Sequence, residues 1–175
     1  MARFLRRTPL PTSRLTREMK GAIAMKVRDM MTSDVRTCRP ETNLAEAVRD
    51  MWEGDCGALP VVNDEGRVTG MITDRDICIA VATRGRVADR IGVREVAQGH
   101  AYTCLPDDDA AAALQTMKLH KIRRLPVVDA EGHVRGILSL NDVVTHAGAA
   151  SPHEMVSTLA SICEHRCPVA MAGAA

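Results

Sequence analysis

The chain has 175 residues, 46% of them apolar but only 2% aromatic, and a formal net charge of +1. That length suits one domain or one tight pair of subdomains, with a core built from Val, Leu, Ile, Met and Ala. The three aromatic side chains (Phe4, Trp52 and Tyr102) leave few stacking platforms for unpaired bases, which argues against single-strand nucleic-acid binding.

The small net charge hides an asymmetry. Residues 1–28 carry eight Lys or Arg against Glu18 alone, +7, and the rest of the chain is −6. Residues 1–25 read as a solvated, disordered basic leader. A contact with nucleic acid or acidic lipid is the other use of such charge. A start of translation at Met25 is a third possibility, because the patterned region begins there. The stretch "RFLRRTPLPTSRL" has no apolar run of signal-peptide length. No segment approaches the ~20 apolar residues of a membrane span. The expectation is a cytoplasmic protein with its six cysteines reduced.

From Val35 the elements follow in order. "VRTC" is a brief strand ended by Pro40. In "NLAEAVRDMWEG", Leu44, Ala47, Val48 and Met51 fall on one helical stripe, with Asn43 as cap and Glu46 three residues on. "ALPVVN" and "RVTGMI" form a hairpin across "DEG". Thr73 then opens a second helix, "TDRDICIAVATRG".

The same order returns 66 residues later without a gap: Thr37-Cys38 meets Thr103-Cys104, Met51 meets Met117, Pro60 meets Pro126, and Asp76 meets Asp142. The second helical stripe is Ala110, Ala113, Leu114 and Met117, behind Asp107-Asp108-Asp109. Each unit is β-α-β-β-α, and a unit this small cannot bury its sheet and helices alone. The predicted fold is α/β (α+β): two such repeats, residues 26–88 and 89–148, packed as a pseudo-two-fold pair within one chain. Residues 149–175 add a C-terminal helix, with Ser151 as cap, Pro152 at its first position and Glu154 at its third. Cys163 and Cys167 lie one turn apart near His153 and His165. A packed face explains them as a metal or a regulatory disulfide would, and no metal site is assigned. Cys38 and Cys104 read as buried strand positions.

The phrases "LPVV…G…GMITDRD" and "LPVV…G…GILSLND" resemble a pair of CBS domains, the regulatory unit often called a Bateman module, over about residues 26–148. The heptads that carry the likeness are Gly70-Met71-Ile72-Thr73-Asp74-Arg75-Asp76 and Gly136-Ile137-Leu138-Ser139-Leu140-Asn141-Asp142. "GMITDRDI" and the C-terminal tail are similar to small stand-alone bacterial CBS-pair proteins, including the hypoxic-response type. The resemblance implies a stress-response or signalling role and a site for AMP, ADP or ATP, or for S-adenosylmethionine or NAD, with no required cofactor. It implies that Asp76 and Asp142 take ribose hydroxyls and that Thr73 and Ser139 contact ribose or phosphate. It places adenine by Ala58 with Pro60 and by Leu125 with Pro126, and phosphate by Arg123 and Arg124. It also implies a homodimer.

Each of these residues has a structural reading beside the functional one. Thr73-x-x-Asp76 and Ser139-x-x-Asp142 are capping-box patterns. Arg123-Arg124 suits phosphate, since arginine binds it bidentately, but also suits a helix C-terminus. The matching slot in the first repeat, Gly57-Ala58, is uncharged, so two ligand sites would be unequal. Thr37 and Thr103 are adenine contacts or strand filler, Tyr102 offers a ring to a base, and Arg75 a charge to solvent or ligand. No nucleophile–base set and no glycine-rich phosphate loop is present, so no catalytic residue is assigned. The alternative to an adenosine-ligand sensor is a ligand-free scaffold acting through the basic leader on nucleic acid or a protein.

Overall fold

The computed structural model describes residues 25–97, 99, 101–146 and 150–164. Residues 1–24 of the basic leader lie outside them, as do His165 and Cys167 and so the reading of Cys163 with Cys167 as a packed face, metal site or disulfide. Helix α1 (Leu44–Glu53) starts where Asn43 accepts the Glu46 N–H at 2.9 Å. The hairpin β1 (Ala58–Val62) and β2 (Val68–Thr73) follows, then α2 (Asp74–Arg84), stopped by Gly85 in the left-handed region at φ +59°. The second repeat supplies α3 (Ala110–His120), β3 (Arg124–Val128), β4 (Val134–Ser139) and α4 (Leu140–Thr145). Helix α5 (Pro152–Cys163) has the expected Ser151 cap and a reciprocal bond from the Ser151 N–H to Glu154.

Both hairpins are antiparallel and carry a bulge at the same place, where Val62 pairs with Val68 and Val128 with Val134. Asn63 and Asp129 close the two turns, each side chain accepting two backbone N–H groups. The predicted first strand of each repeat shrinks to a single parallel bridge, Cys38 to Val61 and Cys104 to Val127. Pro40 and Pro106, two residues on, cannot donate to a ladder, which cuts these strands short.

The repeats are interlocked. The segment before the first repeat closes the core of the second: Val27 and Met30 pack with Ala113, Met117, Leu125, Leu138 and Val143. The linker closes the core of the first, where Ile91 and Val93 pack with Leu44, Met51, Leu59 and Ile72. The hydrogen bonds mirror each other: Val27 N–H donates to Asp108 O at 3.0 Å, and Val93 N–H to Thr42 O at 2.8 Å. The hairpin tips also meet, with Val68 N–H donating to Gly132 O at 3.0 Å.

One expectation needs correction. Val48 does not join the buried stripe of α1 but is 44% exposed, since Leu44, Ala47 and Met51 fill the inner face. Asp109 stands at the N-cap of α3, as the acidic run Asp107-Asp108-Asp109 leads one to expect, with its carboxylate paired to Lys26 at 2.7 Å. Helix α5 lies on α3, where Lys118 Nζ donates to Ser157 Oγ at 2.6 Å and Thr158 is buried. None of the described helices is long and apolar enough to cross a membrane.

Candidate functional site

A cleft of about 730 Å³ opens where the repeats meet, within the usual size range of small-molecule sites. One wall is Thr32, the run Asp34 to Arg36, the loop Glu53 to Ala58, and Asp74. The other is Arg123, Arg124, Ile137 and the run from Ser139 to Asp142. The crossed segment builds the first wall. Thr32 pairs with Ile137 on β4, exchanging bonds of 3.0 and 2.9 Å, so Asp34 and Arg36 are carried to the mouth. Gly136 permits this approach: a Cβ there would lie 2.8 Å from both Thr32 O and Met31 Sδ.

The heptad of the second repeat shapes the opposite wall. Ser139 ends β4 and caps α4, accepting the Asp142 N–H at 3.2 Å. Asp142 answers with Oδ2, which accepts from the Ser139 N–H at 2.7 Å and its hydroxyl at 2.8 Å. Its other oxygen makes no hydrogen bond among the described residues. Thr73 and Asp76 form the same box on α2, with bonds of 3.1, 2.6 and 3.2 Å.

Arg123 and Arg124 stand at the start of β3. Among the described residues neither is paired with a carboxylate. Arg36 differs, lying 2.9 Å from Glu53 and 3.6 Å from Asp50. Its chain crosses Gly54, where a Cβ would come within 3.0 Å of it. Gly57 leaves a bare stretch of backbone between Asp74 and Arg124: a Cβ there would lie 2.9 Å from Asp74 Oδ2 and 3.6 Å from Arg124 Nη2. Burial pushes the Cys38 and Cys104 thiols up to about 12, with Asp50 and Asp108 adding to the effect, so these cysteines remain protonated core groups. Cys56, in contrast, is exposed on the cleft wall.

Of the residues singled out in the sequence, the cleft brings together Ala58, Arg123, Arg124, Ser139 and Asp142. Thr37, Pro60, Thr73, Asp76, Thr103, Leu125 and Pro126 do not line it; Pro60, Leu125 and Pro126 are buried in their strands. Asp34, Arg36, Cys56 and Asp74 line it without having been singled out. The 66-residue offset exposes the difference between the two halves. Arg36 and Gly54 correspond to Tyr102 and His120, whose rings stack 3.5 Å apart and 15° from parallel. Gly57-Ala58 corresponds to Arg123-Arg124, and Asp74 to Leu140.

A doubled helix-and-hairpin unit, with a polar cleft where the copies meet, defines this protein as a tandem-repeat α/β module. The CBS domain family matches residues 27–83 and 93–148, and the chain belongs to it, as two CBS domains in tandem. YhcV, a CBS domain-containing protein of Bacillus subtilis, is 37% identical over 120 residues, 69% of this chain and 84% of that protein. Hypoxic response protein 1 of Mycobacterium tuberculosis is 32% identical over 145 residues, 83% of this chain and 96% of its own length. A solved structure of Hypoxic Response Protein I with two coordinated zinc ions aligns with a TM-score of 0.64, at 32% identity, over 70% of this chain and 98% of that one. CBSX2 in complex with AMP aligns with a TM-score of 0.58, at 25% identity, over 69% and 93%.

The zinc ions belong to that relative. Among the described residues of this chain, Asp129, Glu131 and His133 bring donor atoms within 4.8 Å of one another. Asp129 Oδ1 accepts the Glu131 and His133 N–H groups, and Oδ2 pairs with Arg135 at 3.1 Å. Desolvation acts to raise its carboxyl, but those N–H groups and the charges of His133 and Arg135 outweigh it and hold the group low. The carboxylate is committed to its turn, and the trio does not fit a metal centre.

Proposed function

We propose that this protein is a non-catalytic regulatory module that binds an adenosine-containing ligand, AMP, ADP or ATP, in the cleft between its CBS domains. The observation that carries this reading is the convergence on one cleft of Asp142, with a carboxylate oxygen uncommitted among the described residues, and Arg123 and Arg124, whose guanidiniums pair with no carboxylate among them. A carboxylate suits a pair of ribose hydroxyls, and arginine suits phosphate. The AMP complex of CBSX2, a relative of the same fold, supports the ligand class. The stacked Tyr102–His120 pair and the uncharged Gly57-Ala58 slot support one ligand per chain rather than two.

A homodimer and a cytoplasmic role in stress signalling belong to the same reading. Apolar side chains outside the cores support the dimer, Trp52 at 86% exposure foremost. Light scattering checks it, and a monomer mass near 19.0 kDa would remove it.

The test of the function is ligand-induced stability. A ligand binding only the folded state at 100 times its dissociation constant adds about 2.7 kcal/mol. Each kcal/mol moves the midpoint of a chain this size by about 2–4 °C. Millimolar AMP or ATP, bound with an affinity of about ten micromolar, raises it by about 5–10 °C, and guanosine and cytidine nucleotides do much less. S-adenosylmethionine and NAD belong in the same screen. No shift above about 1 °C with any adenosine ligand would sink the reading.

A further inference from the structure

The charge on the cleft walls does not match a polyphosphate. Among the described residues, five carboxylates line it (Asp34, Glu53, Asp55, Asp74 and Asp142) against three guanidiniums (Arg36, Arg123 and Arg124), a net of −2. Arg36 is held by Glu53 and Asp50, and Asp142 closes the cap of α4. What is left is Arg123 and Arg124 in one cleft with three exposed acids, Asp34, Asp55 and Asp74. Asp74 and Arg124 flank the same bare backbone at Gly57.

A phosphate monoester carries about −1.5 to −2 at neutral pH, which two guanidiniums match. A second or third phosphate adds charge, close to carboxylates, that no further uncommitted cation among the described residues of these walls compensates. We infer that the cleft selects an adenosine ligand bearing a single phosphate, and that Asp74, with Asp55 and Asp34, disfavours di- and triphosphates. The inference rests on the adenosine-ligand reading above. Like charges roughly 6–8 Å apart in a solvated cleft cost a few-fold in affinity per pair, more where water is excluded.

Titration calorimetry on the full chain, without divalent cations and at low salt, tests it with adenosine, AMP and ATP. The wild type binds AMP more tightly than ATP. Asp74→Asn tightens ATP by about three- to tenfold and AMP by less, so the ratio narrows. Asp55→Asn does the same independently, at a left-handed position (φ +46°) that asparagine accepts. Raising the salt narrows the wild-type ratio as well. A wild type that binds ATP at least as tightly as AMP, or a ratio unchanged in both variants, overturns the inference while leaving the adenosine reading intact. If the wild type binds none of the three ligands, that reading fails and takes the inference with it.

Discussion

Asp142 and Asp76 make the same capping box, but only Asp142 lines the cleft, so paired substitutions separate the cap from the ligand. In each box the carboxylate accepts two bonds, at 2.7 and 2.8 Å for Asp142 and at 3.1 and 2.6 Å for Asp76. Losing a helix cap costs about 0.5–2 kcal/mol. At 2–4 °C per kcal/mol, Asp142→Ala and Asp76→Ala should each lower the melting midpoint by about 1–8 °C, and by similar amounts. Binding should part them. Removing a charged acceptor from ribose costs about 1.5–3 kcal/mol, so Asp142→Ala should weaken AMP about 10- to 150-fold in calorimetry. Asp76→Ala should leave AMP affinity near wild type. Equal weakening by the two variants would refute the reasoning, because the ligand would then be held by both heptads or by neither.

Arg123→Ala should weaken AMP on a similar scale and spare adenosine; an equal loss for both ligands would exclude a phosphate contact. Gly136→Ala places a Cβ 2.8 Å from Thr32 O and should cost about 1–3 kcal/mol by denaturant melts. Gly70→Ala, whose nearest contacts would be at 3.8 Å, should cost about 1 kcal/mol or less; equal costs would contradict the close approach of the crossed segment. Acid should destabilise the protein. The Ser151 N–H and hydroxyl, with His153, hold Glu154 below its usual 4.5, against a smaller opposing effect of desolvation. A group depressed in the folded state stabilises above its unfolded value and loses that contribution as pH falls, so the part of the midpoint owed to Glu154 should be in place above pH 4.5 and be lost below it.

The repeat, the hairpins and the caps were legible because each is a local pattern. Thr73, Ser139 and Ser151 cap helices as their spacing indicates, and Gly85 stops α2. The interlock was not legible. Nothing local in Val27 or Ile91 says which core each will enter, since each is a single apolar residue beside an arginine, outside any periodic stripe. Once Val27 packs on the second repeat, Asp34 and Arg36 are carried to the cleft, and that long-range step hid them. Asp74 was hidden differently: in the heptad it reads as an exposed first-turn acid, and only the bare backbone at Gly57 reveals what it faces. Val48 misled because its spacing fits the buried stripe, while Leu44, Ala47 and Met51 already fill that face.

Cys56 gives the most direct test, because it is exposed on the cleft wall, whereas Cys78 is exposed on α2 away from it. Alkylation of the native protein, followed by peptide mass spectrometry with and without saturating AMP, reads occupancy at that wall. AMP should slow the labelling of Cys56 and leave that of Cys78 unchanged, while Cys38 and Cys104 stay unlabelled in their cores. Equal Cys56 rates with and without saturating AMP would contradict an adenosine ligand in this cleft.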